Sequence, residues 1–134
     1  TAVVAHRHAW FAEKVTSLLE GQGVTVVECT DNGADALGAI VTEQPDVVLV
    51  GDRLEMMTGQ TLLSETHLFA PSTLRAMQAN NQQQASDWGA AAHAVFLRHH
   101  PPSEVADSLV RLCNRAGLCA SGLSALDRDC CRVG

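Results

Sequence analysis

Short apolar runs alternate with amphipathic segments along most of this chain, and this alternation restricts the fold more than any other feature. The run "DVVLV" at residues 46–50 is continuous and follows Pro45, which is typical of a strand covered on both faces. Similar runs predict four other strands, at residues 2–5, 24–29, 73–78 and 93–97. The segment that follows each strand predicts a helix, and the fourth of these helices is short.

Five strands that alternate with five helices predict an α/β fold, a doubly wound parallel sheet with helices on both faces. In such sheets, functional sites lie at the carboxyl ends of the strands. The residues at those ends are His6–His8, Gly51–Asp52, Gln78–Ala79 and Arg98. We therefore expect any functional site to include these positions.

Helical spacing also predicts which side chains are buried and where helices begin. We expect Trp10 to pack as part of the first helix. Leu62, Leu63 and Leu68 are expected to face inward from a helix over residues 58–68. Asp31 or Asn32 is expected to cap the second helix, and Pro101 and Pro102 to open the last one. Trp88 would either anchor a partner or pack at an edge of the fold.

Composition excludes several classes of protein. The length of 134 residues suits one domain. The net charge of −6 does not provide the excess of positive charge that is typical of nucleic-acid-binding domains. No apolar run is long enough to span a bilayer and no signal peptide opens the chain, so a cytoplasmic location without membrane contact is expected. No glycine-rich phosphate loop follows the first strand, and no nucleophile–base pair is evident, so an enzyme is not expected.

The cysteines predict neither a disulfide framework nor a metal centre. There are 5 of them at irregular spacing, which fits no zinc motif. Cys29 and Cys113 fall in apolar segments and are interpreted as small buried hydrophobic residues. The other three, Cys119, Cys130 and Cys131, lie in the tail. We expect no metal and no cofactor.

Five segments in order resemble the receiver domains of response regulators, above all those of the NarL/LuxR class. The segments are "HAWFAEKVTSLLEGQG", "DNGADAL", "PDVVLV", "RLEMMTG" and "LRHHPPSEVADSL". The resemblance covers residues 1–116 and implies a flavodoxin-like, CheY-like sheet with strand order 2-1-3-4-5. It also implies a role in two-component signal transduction and transcription regulation.

The resemblance implies a phosphorylation site that this chain lacks. Receivers of the family carry an acid pair that holds Mg²⁺, an acceptor aspartate, a hydroxyl residue and a lysine. The corresponding positions here are His6 and Arg7, Gly51, Gln78 or else Ala79, and Arg98. We therefore expect an atypical pseudo-receiver without a metal or a phospho-acceptor.

Asp52 is a substitute acceptor only if the register slips by one residue, which would turn the buried side chains of the strand to the opposite face. In the expected register Asp52 points away from the site, as a solvated acid or a partner for Arg7.

The tail resembles the start of a LuxR-type helix-turn-helix domain. Residues 123–133, "LSALDRDCCRV", are similar to the opening of that domain, with Ser124 as an N-cap and Asp127 three residues later. We interpret residues 117–134 as a linker and the first part of such a domain. The alternative is a tail without function. The first interpretation implies DNA binding through a C-terminal domain and a homodimer on a two-fold operator.

Two groups of cationic side chains are candidates for ligand binding. His6, His8, His99 and His100 would surround one cavity as pH sensors or metal ligands, or else are ordinary loop residues. Arg7 and Arg98 would flank the space left by Gly51 and hold an anion or small ligand, or Arg7 would pair with Glu55. The other function considered is a stand-alone protein- or ligand-binding module.

Overall fold

The computed structural model describes residues 1–88 and 92–115, without the side chain of Trp88. Strands and helices alternate throughout these residues. The strands are β1 (Ala2–Ala5), β2 (Val26–Thr30), β3 (Val47–Val50), β4 (Leu74–Ala79) and β5 (Ala94–Leu97). The helices are α1 (Ala9–Gly21), α2 (Gly33–Glu43), α3 (Gly59–Phe69), α4 (Gln82–Trp88) and α5 (Pro102–Arg115).

The strands form one parallel sheet with the order β2-β1-β3-β4-β5, which confirms the predicted order. β3 is central, and all four of its residues are buried. Leu49 points into a core formed with α1 and α5, whereas Val48 and Val50 point into a second core formed with α2 and α3. Helices therefore cover both faces, and the apolar run of β3 is the consequence.

The helices of the second core, α2 and α3, both begin at a residue whose side chain caps the helix. Asn32 caps α2, because its Oδ1 accepts the backbone N–H groups of Ala34 (2.8 Å) and Asp35 (3.1 Å). Of the two predicted caps, Asn32 is therefore the one used. Thr58 caps α3 by accepting the N–H of Thr61 at 3.2 Å.

Three predictions of burial were wrong. Trp10 is 67% exposed, because Phe11 and the residues at helical spacing from it form the buried stripe of α1. Leu68 is 68% exposed, because the inward stripe of α3 runs through Leu62 and Leu63 to Thr66. Cys29 is exposed, because β2 is the edge strand of the sheet.

The buried position of Cys113 on α5 was predicted correctly. The predictions for the side chain of Trp88 and for residues 117–134 lie outside the described residues. None of the helices described is long and apolar enough to cross a membrane.

Candidate functional site

Three of the positions proposed from the sequence meet at the carboxyl edge of the sheet. His6 follows β1 and Gly51 follows β3, and Gln78 is the second-to-last residue of β4. His6 is only 4% exposed and Gln78 only 7%. Gln78 rather than Ala79 reaches the site, because Ala79 packs into the core under α2 and α3.

The hydrogen bonds of His6 fix its tautomer. Its Nδ1 accepts the backbone N–H of His8 at 3.1 Å, so Nδ1 carries no hydrogen. The remaining ring nitrogen, Nε2, must then donate to Oε1 of Gln78, which lies 2.5 Å away. The imidazole is therefore held in its neutral form with the hydrogen on Nε2.

Burial also favours the neutral form of the His6 ring. Desolvation lowers the pKa of His6 below its ordinary value of 6.5, and the hydrogen bond with Gln78 opposes this effect only in part. The nearby charge of His8 lowers the pKa further, while that of Asp52 raises it. At neutral pH His6 is an uncharged donor and not a ligand for a hard cation.

The imidazole of His6 also occupies the space beside Gly51. A Cβ atom on residue 51 would lie 3.0 Å from Cδ2 of His6 and 3.4 Å from its Cγ. Because contacts this short are rarely tolerated, a side chain at position 51 would require the ring to move. His6 and Gly51 are thus complementary in shape, and residue 51 carries no carboxylate.

Asp52 makes a contact that the sequence analysis missed. Its carboxylate accepts a hydrogen bond from the side-chain amide of Asn80, and the residue is half-buried. Of the two roles considered for Asp52, a solvated acid or a partner for Arg7, the pairing with Arg7 was wrong. Asn80 directly follows β4, so its place at the carboxyl edge of the sheet was the available signal.

In the described part of the chain Arg7 and Arg98 line different cavities, whereas the sequence led us to expect a shared one. Arg7 lines a cavity of about 270 Å³ with Asp31, Arg53 and Glu55. Arg98 lines another cavity, on the side of α1 and α5. Both side chains are exposed. Successive residues after a strand point in different directions, so Arg7 turns outward where His6 turns inward.

The predicted pair of Arg7 with Glu55 was also wrong. In the described part of the chain, no carboxylate lies within 4.0 Å of the Arg7 guanidinium. Its Nε is instead within 3.4 Å of Nε2 of His8.

The four histidines do line one cavity, which was one of the two alternatives considered from the sequence. It measures about 280 Å³ and lies between the β1–α1 and β5–α5 connections. Its lining consists of His6, His8, Trp10, Phe11, Gln78, Arg98, His99, His100, Pro101 and Pro102. Within residues 1–88 and 92–115, no three His, Cys, Asp or Glu side chains are arranged to hold a metal ion.

No protein-family model and no curated protein sequence matches this chain. Solved structures do resemble it. The receiver domain of the response regulator NarL from Mycobacterium tuberculosis is 24% identical over 83% of this chain and 93% of that chain, with a TM-score of 0.74. A LuxR-family DNA-binding response regulator from Staphylococcus aureus is 19% identical over 81% of this chain and 93% of that chain, with a TM-score of 0.70.

A third structure belongs to a family of streptococcal redox sensors that evolved from two-component response regulators. It is 11% identical over 81% of this chain and 49% of that chain, with a TM-score of 0.69. At these identities the similarity establishes the fold, which is the CheY-like, flavodoxin-like arrangement found in receiver domains.

Proposed function

We propose that this chain is the regulatory pseudo-receiver domain of a bacterial transcription regulator of the LuxR/NarL type, and that it works without phosphorylation. The observation that carries the proposal is the neutral ring of His6, which covers Gly51 where the family's acceptor aspartate would stand. Together with Arg7 in the second acid position, it leaves no carboxylate pair for Mg²⁺. Without a metal, the charge that develops on a transferred phosphoryl group is not neutralised.

The regulatory part of the proposal is supported by the tail and by the similar structures. Residues 123–133 resemble the start of a LuxR-type helix-turn-helix domain. The Staphylococcus aureus structure is that of a DNA-binding response regulator, and the streptococcal proteins are redox sensors derived from response regulators. A receiver fold can therefore serve inputs other than phosphate. In this protein, the input would act on DNA binding in the cytoplasm through a ligand, a partner or dimerisation.

Intact-mass spectrometry after incubation with acetyl phosphate and Mg²⁺ tests the absence of phosphorylation. We expect no gain of phosphate mass, because neither the metal ligands nor the acceptor are present. A receiver with a complete acid pair and acceptor serves as the positive control in the same reaction. A phosphate adduct on this protein that disappears in Asp52→Asn would show that Asp52 is the acceptor and would refute the proposal.

Homodimerisation belongs to the same proposal, because a two-fold operator requires two copies of the DNA-binding domain. Light scattering over a dilution series measures it, and a monomer at every concentration of the full-length protein would contradict it. The alternative is a stand-alone binding module, which would have no helix-turn-helix domain after residue 134. A full-length protein that shifts no DNA fragment from its own promoter region would favour that alternative.

A further inference from the structure

We infer that the histidine-lined cavity binds a small organic anion, a carboxylate carried on a flat apolar body. The inference rests on the proposed function, since such a ligand would replace the phosphoryl group as the regulatory input. The cavity of about 280 Å³ lies just below the usual range for ligand pockets, about 300–1,000 Å³, so the ligand must be small.

The charges that line the cavity favour an anion. Arg98 carries a permanent positive charge, and the imidazoles of His8, His99 and His100 lie in the same lining. None of the described residues in the lining is acidic, although the chain as a whole carries a net charge of −6. A guanidinium in a fork geometry matches a carboxylate with two parallel hydrogen bonds.

The amide group of Gln78 in the lining supports the same class of ligand. Because Nε2 of His6 must donate, the atom of Gln78 that faces it must be the amide oxygen. Gln78 lines the cavity, and its amide nitrogen carries two hydrogens. An oxygen-bearing ligand is able to accept them.

His100 supplies a further donor in the lining. Its Nδ1 accepts the backbone N–H of Leu97 at 2.9 Å, so the hydrogen of the neutral ring is on Nε2. The ring of His99 lies beside it, with the two centroids 4.5 Å apart. Donor groups of Gln78 on β4 and of Arg98 and His100 on the β5–α5 connection thus lie in one lining, and an acceptor-rich group would bridge β4 and β5.

The apolar part of the lining determines which chemical group should carry the anionic carboxylate. Trp10 and Phe11 meet edge to face, with their centroids 5.8 Å apart, and Pro101 and Pro102 lie in the same lining. Flat apolar groups pack well against such a wall. Inorganic phosphate carries no apolar surface, and its second charge would face a single permanent cation. A monoanionic carboxylate on an aromatic ring fits both parts of the cavity.

Calorimetric titration of the protein with benzoate tests the inference, with benzamide and inorganic phosphate as comparison ligands. We expect benzoate to bind with a Kd of about 1 mM or tighter. Benzamide has the same shape without the charge and should bind at least tenfold more weakly, as should phosphate. Arg98→Gln should weaken benzoate binding at least tenfold. Arg53→Gln, an exposed arginine that lines a different cavity, is the matched control and should leave it unchanged.

Several outcomes would overturn the inference: no heat from benzoate in the millimolar range, equal binding of benzamide, tighter binding of phosphate, or unchanged affinity in Arg98→Gln. Circular dichroism of each variant establishes that it is folded. The failure of this inference is distinguishable from that of the proposed function. A protein that takes up neither benzoate nor phosphate mass would retain the pseudo-receiver proposal, whereas a phosphate adduct on Asp52 would remove it.

Discussion

The buried ring of His6 and the absence of a side chain at Gly51 depend on each other. Gly51 leaves open space at the end of β3, and the buried imidazole of His6 fills it. An acidic side chain at position 51 alone would therefore meet the ring of His6. The residues at positions 6 and 51 are thus linked by packing.

Gly51→Val tests this packing without adding charge. We expect the substitution to lower the free energy of unfolding by about 1–3 kcal/mol, because the new side chain must displace the imidazole. In a His6→Ala background the space is open and the cost should fall, giving a coupling energy of about 0.5 kcal/mol or more in a double-mutant cycle. Urea unfolding of the four proteins measures it. Strictly additive costs would mean that His6 and residue 51 do not compete for space.

The lowered pKa of His6 predicts a loss of stability in mild acid. The folded protein favours the neutral ring, so the unfolded chain binds a proton at a higher pH than the folded one does. Stability is therefore complete above the ordinary pKa of about 6.5 and falls as the pH drops from there toward the lowered value. His6→Gln should reduce the pH dependence of the unfolding free energy in this window.

Part of that pH dependence should remain in His6→Gln. Burial also lowers the pKa of His93, with a further contribution from the charge of Arg75. An identical pH profile for the wild-type protein and His6→Gln would show that His6 does not contribute.

At the scale of elements, the turn from β3 into α3 depends on close backbone contact. A Cβ atom on Gly59, the first residue of α3, would lie 1.9 Å from the carbonyl oxygen of Gly51. Only glycine permits the helix to begin this close to the end of the strand. The site residue Gly51 and the start of α3 are therefore held together by the backbone.

Two glycine substitutions distinguish the effect of this backbone contact on stability from the effect of helix propensity. Gly59→Ala should destabilise the protein by about 1–3 kcal/mol or more, because the backbone has to shift. Gly38 lies exposed in the interior of α2, with nothing within 4 Å of an added Cβ, so Gly38→Ala should stabilise by about 0.4–1 kcal/mol. Thermal melts measure both. A neutral Gly59→Ala would indicate that α3 is able to move away from β3.

The elements themselves could be predicted because each has a strong local signal. The apolar run of β3 and the cap at Asn32 were sufficient to place β3 and α2 to within a residue or two. Burial was less predictable. Whether Trp10 or Phe11 faces the core depends on how α1 is rotated against the sheet, and the exposure of Cys29 depends on β2 being at the edge. Neither is a property of the local sequence.

The site was predictable as a set of positions and not as a set of contacts. The carboxyl edge of the sheet follows from the alternation of strands and helices, so His6, Gly51 and Gln78 were identified. That His6 bonds to Gln78 and that Arg98 lies apart from Arg7 depend on side-chain directions across several strands. The charges of two arginines alone suggested a shared pocket, but among the described residues Arg7 and Arg98 line different cavities.

At the scale of the whole molecule, the sheet divides the interior into two cores. One contains α1 and α5, and the other contains α2 and α3, with alternate residues of the central strands pointing to each. Because both cores share the same strands, we expect the domain to unfold in a single cooperative transition. A site at the edge of the sheet is thereby supported from both faces.

Leucine-to-alanine substitutions in the two cores test this arrangement. Leu62 on α3 and Leu109 on α5 are buried on opposite faces, and each truncation should lower the free energy of unfolding by about 2–5 kcal/mol. Because the two side chains share no core, their costs should add to within about 0.5 kcal/mol in the double variant. Leu68→Ala, on the same helix as Leu62 but exposed, should change stability by less than about 0.5 kcal/mol. Urea unfolding followed by circular dichroism provides all four values. A second transition in either single variant would show instead that one face unfolds while the other persists.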